Sequence, residues 1–162
     1  MKNIKIEIKW AFLFIVMSLV WMCLEKFSGL HSTYLDYQMY LTNLFMIPAI
    51  WFFVLALKDK KKNFYNGVMS YKQGMISGTI LTLIIATFNP LTQYITSYII
   101  TPEYFPNVIK RSVEIGYFQT TAEAEAQFNY KNYAIQGTIG AVIMGILTTL
   151  IVMLFLRSKK TN

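Results

Sequence analysis

Three polar side chains stand within or at the end of apolar runs in this chain of 162 residues: Glu25, Asn43 and Asn89. At ~1.5 Å of helical rise per residue, counted from one common edge, they lie at depths of ~22, ~21 and ~22 Å respectively. One carboxylate and two amides at a shared depth have two chemical uses. Asparagines arranged around an acid can orient it and pass on a proton or small cation. The same groups also serve as interhelical hydrogen-bond glue, because polar atoms in lipid are costly unless paired. Glue is the expected role here, since Lys26 adjoins Glu25 and both side chains are close enough to the interface to extend towards it.

His31 is the sole histidine, with Asp36 five residues on. A metal centre needs three or four convergent ligands, and one histidine with scattered carboxylates does not supply them. A solvated or hydrogen-bonded loop residue is expected instead. The sequence holds no nucleophile elbow, metalloprotease histidine pair, phosphate-binding glycine loop or paired-cysteine motif. No catalytic residue, metal ligand or cofactor is therefore predicted. Cys23 is the single cysteine, so it has no intramolecular partner and reads as a small buried hydrophobe.

The elements that would hold these groups are four apolar stretches, 9–27, 39–57, 74–100 and 133–156. A bilayer core of ~30 Å takes ~20 residues of helix to cross. Every stretch suffices, and with no water to pair an open sheet edge the backbone must be helical. The predicted fold is all-α: an integral membrane bundle of four transmembrane helices, forming a single polytopic domain over 1–162. With 55% hydrophobic residues the chain has no length left for a second, soluble domain.

The net charge of +7 is unevenly placed. Eleven Lys and Arg, among them Lys2, Lys60, Lys159 and Lys160, share a side with both termini and the 58–73 loop; four lie on the other side. Lys/Arg bias in short loops orients helices, which predicts both termini in the cytoplasm. The basic loops lack the aromatic interleaving that would read a nucleic-acid strand, so no nucleic acid is expected. The first stretch has a basic start but no small-x-small cleavage site, and is read as a retained anchor rather than a signal peptide.

Local signals refine the picture. The short connection 28–38 predicts a helical hairpin, and Pro48 predicts a bend. The lysine cluster after residue 57 suits anionic lipid, and Asn66-Gly67 marks a turn. Asn89-Pro90 predicts a kink, a tilt or a protrusion in the third helix. The 101–132 segment reads as a helical outer loop: Pro106 opens a short helix with Phe105, Val108, Ile109 and Val113 on one face, and Gly116 ends it. Thr120 with Glu123 starts a second short helix, and Asn129 caps the last long one. Two stripes of small residues, Gly74-Gly78-Thr82-Ala86 and Gly137-Ala141-Gly145-Thr149, predict close helix packing, either within the chain or between copies. Aromatics such as Trp10, Trp51, Tyr94 and Tyr98 read as interfacial or lipid-facing.

Several longer strings carry a family resemblance: Trp21 to Lys26 with Gly29-Leu30-His31, Thr42 to Pro48, Asn63 to Gly67, and Tyr71 to Gly74. Pro90 to Tyr94, Thr101 to Phe105 and Asn132 to Gln136, leading into the Gly140/Gly145 helix, continue it. On these the chain resembles the bacterial membrane proteins grouped as domain-of-unknown-function family 4199, over essentially its whole length. The resemblance implies a four-helix inner-membrane protein and transfers no site residue, because the family has no assigned activity.

The expectation is thus a multi-pass protein of a bacterial cytoplasmic membrane, not an enzyme, serving as an accessory, scaffold or assembly component. Its partners would be the lipid bilayer and a second copy or another membrane protein. The alternative is an oligomeric transporter or channel subunit working through Glu25, Asn43 and Asn89.

Overall fold

The computed structural model describes residues 4–158, which form helices and turns with no strand. Lys2, Lys159 and Lys160 lie outside the described residues. Helix α1 spans Lys5–Phe27, and α2 (Leu35–Leu41) continues through a 3₁₀ turn at Thr42–Phe45 into α3 (Met46–Asn63). Helix α4 (Tyr71–Ile95) extends into a π turn at Thr96–Ile100; α5 (Tyr104–Glu114) and α6 (Thr121–Gln127) are short, and α7 runs from Tyr130 to Leu156. Four continuous helical segments, Lys5–Phe27, Leu35–Asn63, Tyr71–Ile100 and Thr121–Leu156, are long and apolar enough to cross a membrane.

Capping residues set the ends. Ser70 accepts from the Gln73 amide while Gln73 returns a bond to the Ser70 N–H, so two orphan donors at the start of α4 are satisfied together. Asn129 accepts from the Asn132 amide and starts α7. Thr120 accepts from the Glu123 amide, and the Glu123 carboxylate reaches Gln119 N. Helix α1 ends on Gly29 at φ +80°, with Gly29 N bonded to Lys26 O and Leu30 N to Glu25 O. That left-handed step suits a glycine, and it turns the chain back towards the helix it has just left.

The prolines act differently from each other. Pro48 is the third residue of α3, and the 3₁₀ turn lies just before it. Its ring excludes a normal bond to the Leu44 carbonyl, so the backbone tightens there and the expected irregularity falls upstream of the proline. Pro90 sits inside α4, which continues for another turn before the backbone widens into the π turn.

Helix α4 is central, packing on α1, α3 and α7. The small stripes face each other: a methyl group added at Gly78 would lie 2.2 Å from Thr149 Cγ2, and one at Gly145 would lie 2.4 Å from Thr82 Oγ1. One core joins Ala11, Phe53, Ala56, Leu81 and Ile85. A second, at the lysine-rich end, joins Leu57 and Met69 to Val152 and Met153. There Ser158 N bonds to Met69 O, so both described ends of the chain share one end of the bundle. The 28–34 turn, α5 and α6 gather at the opposite end.

Candidate functional site

Glu25 occupies the last turn of α1 and is only 2% exposed. Trp21, one turn earlier, donates its indole N–H to Oε1. The glycine turn that follows folds His31 back so that Nε2 lies 3.1 Å from Oε2. Against an ionised carboxylate, which only accepts, Nε2 is the nitrogen that would donate. The ring is 4% exposed and meets the edge of Tyr104 at 5.1 Å between centroids. His31 Nδ1 has no hydrogen-bond partner among the described residues. Asn107 of α5 donates to the His31 carbonyl, and the Tyr104 and Tyr133 hydroxyls lie 3.2 Å apart. Burial, with Tyr133 alongside, pushes the Tyr104 phenol well above its ordinary pKa and keeps it neutral.

This corrects one sequence expectation and narrows another. Glu25 does not extend outwards beside Lys26: Lys26 turns to the Ile100 carbonyl while Glu25 turns inwards to His31. Of the two forms expected for His31, solvated or hydrogen-bonded, the structure has the hydrogen-bonded one, buried in its turn. Asp36, five residues on, pairs instead with Arg111 through two bonds of 2.8 and 2.7 Å. Among the described residues no group of three or more His, Cys, Asp or Glu could hold a metal ion.

A second buried acid lies at the lysine-rich end. Glu7 is 3% exposed, and Lys60 of α3 approaches its Oε1 to 2.9 Å. Ser77 of α4 donates to the same oxygen at 2.6 Å. Beside this cluster Asp59 accepts from Lys9, from the Trp10 indole at 2.7 Å and from Asn63 at 2.6 Å. Counting loop charges placed Lys60 only on the side of the termini and carried no information on its burial. The available signal was spacing along α1: Glu7 and Glu25 are eighteen residues, or five full turns, apart and so share a face.

Asn43 and Asn89 stand apart from Glu25. Both line a cavity of about 500 Å³ between α1, α3, α4 and α7, of which Glu25 is not a wall. Thr42 joins the two regions: it lies beside the Glu25 carboxylate and also lines the cavity. The Asn43 amide N–H donates to Met39 O at 2.8 Å. Asn89 donates to Ala134 O and Thr138 Oγ1, each at 3.3 Å, tying α4 to α7. Of the small residues, Gly137, Gly140, Ala141 and Gly145 form part of the wall, while Gly74 lies lower, against Met153. None of the cavity's described lining residues is ionisable.

Comparison with known proteins gives one family. The model of a family described as "Protein of unknown function (DUF4199)" matches residues 9–158. No curated protein and no solved structure matches the chain.

Proposed function

We propose, for a chain that belongs to the DUF4199 family of proteins of unknown function, a non-enzymatic role as an accessory, scaffold or assembly component of a membrane. In this reading the four apolar helices cross a bacterial cytoplasmic membrane, and both termini are cytoplasmic. The Lys/Arg asymmetry supports that orientation. The partners are the surrounding lipid and a second copy or another membrane protein.

One observation carries the reading. The two acids that enter the bundle, Glu7 and Glu25, are each closed in by their own partners, and the cavity between them is walled by uncharged side chains. A proton relay through the cavity would need titratable groups facing it, and none of its described lining residues is one. Hydrolytic chemistry needs a nucleophile beside a base. The intramembrane acids are instead placed to hold α1 against α3, α4 and the 28–34 turn.

The test is purification of the full chain in mild detergent, with identification of co-purifying proteins and of subunit number. A defined complex with another membrane protein or a second copy is expected. A solitary monomer that carries a proton- or cation-dependent flux in reconstituted vesicles would overturn the proposal.

A further inference from the structure

The cavity between α1, α3, α4 and α7 is polarised along its length. Towards the His31 end its wall carries Thr42, Asn43, Asn89 and Gln93; towards the lysine-rich end it carries Phe14, Phe53, Ile85 and Met144, with the hydroxyls of Thr82 and Thr148 but no amide. Helices α3 and α7 meet at Leu57, Val152 and Met153, near the lysine-rich end. Further along, Met46 and Ile50 of α3 and Met144 of α7 remain exposed and flank an opening on the side of the bundle. A molecule dissolved in the bilayer can enter there without passing through water.

The polar wall offers amide oxygens to a ligand. The Asn43 and Asn89 amide nitrogens face backbone carbonyls, which only accept, so the orientation of each amide is fixed. The Gln93 nitrogen lies 2.9 Å from Ser97 Oγ. Asn89 uses its amide nitrogen twice, Asn43 and Gln93 each use theirs once, and the amide oxygens accept no hydrogen bond from any described residue. Amide oxygens at one end of a largely apolar slot suit a ligand that donates. The uncharged wall disfavours an ion, which would enter low-dielectric surroundings with no counter-charge. Gly140 keeps the slot open, since a Cβ placed there meets nothing within 4 Å. At about 500 Å³ the cavity is in the ordinary size range for small-molecule sites.

We infer that this cavity binds a neutral, single-chain amphiphile from the bilayer, its hydroxyl head donating to the amide oxygen of Asn89, beside Asn43 and Gln93, and its chain lying over Gly140 towards Phe14 and Phe53. This goes beyond the accessory role, and a partner protein can be absent or present without affecting it.

The experiment uses the full chain in nanodiscs and a diazirine-bearing oleyl alcohol as photoprobe. Saturable labelling is expected at the cavity residues Phe53 or Met144, read by peptide mass spectrometry. Unlabelled oleyl alcohol should compete about five- to tenfold better than its methyl ether, the ratio one or two net hydrogen bonds provide. Gly140→Trp fills the slot and should abolish labelling. Asn89→Leu should bring alcohol and ether to equal competition; that ratio is read within one protein, so it decides the matter even if Gly140→Trp folds poorly. Equal competition by alcohol and ether on the wild type, stronger competition by oleate than by the alcohol, or labelling unchanged in both variants would overturn the inference.

Discussion

Glu7 and Glu25 project from the same face of α1, five turns apart, and each meets a buried basic side chain: Lys60 at one end and His31 at the other. At ~1.5 Å per residue the two acids are ~27 Å apart, close to the ~30 Å thickness of a bilayer core. The helix is therefore clamped at both ends of the bundle by charged or strongly polar contacts, while Ala11 and Phe14 pack against the core between them.

The Glu7–Lys60 clamp predicts a marked asymmetry between single and double variants. Lys60→Met should leave a buried carboxylate short of its cation and cost about 3–5 kcal/mol. Glu7→Gln combined with Lys60→Met should recover most of that loss. Thermal unfolding in detergent measures both; equal destabilisation by the single and the double variant would show that the pair is not coupled.

At the opposite end, Glu25→Gln preserves shape and leaves a hydrogen-bonding carbonyl for Trp21 and His31. Its unfolding temperature should fall, and vesicles containing the wild type or the variant should show no proton or cation flux. A flux present in the wild type and lost in the variant would make Glu25 a conduction residue.

Three glycines of the α4–α7 region should respond differently to leucine. Gly78→Leu and Gly145→Leu drive a side chain into Thr149 and Thr82, and each should lose about 1–3 kcal/mol from overpacking. Gly140→Leu, with open space around its Cβ, should unfold near the wild-type temperature. Three equal melting curves would contradict the packing described above.

Orientation is tested by single cysteines in a Cys23→Ala background. Val68 lies exposed in the lysine-rich loop, and Thr121 opens α6 at the other end. In intact spheroplasts an impermeant thiol reagent should modify Thr121→Cys and spare Val68→Cys. The reverse pattern would place the termini outside.

Much of the fold is legible in the sequence because it is locally encoded. Twenty or so apolar residues in a row force a helix whatever surrounds them, which is why four long helices are readable from composition. Asn129 and the Thr120–Glu123 pair mark helix starts through bonds that span three residues. Gly29 and Gly116 mark ends because each takes a positive φ. The four-residue spacing of Gly78 and Thr82, and of Gly145 and Thr149, makes a close-packing face visible before its partner is known.

Rotation about a helix axis is not local, and there the sequence alone is silent. Helix α1 is apolar on nearly every side, so nothing within it decides whether Glu25 faces outwards with Lys26 or inwards to His31. The turn at Gly29, the approach of Tyr104 from α5 and the contact of Ala11 with Phe53 and Leu81 decide it. Glu7 finds Lys60 across 53 residues for the same reason. A shared depth for Glu25, Asn43 and Asn89 is a property of helix rise, which sequence position supplies. Their separation into a sealed acid and an open uncharged cavity depends on how four helices turn against one another, and only the packed tertiary structure determines that.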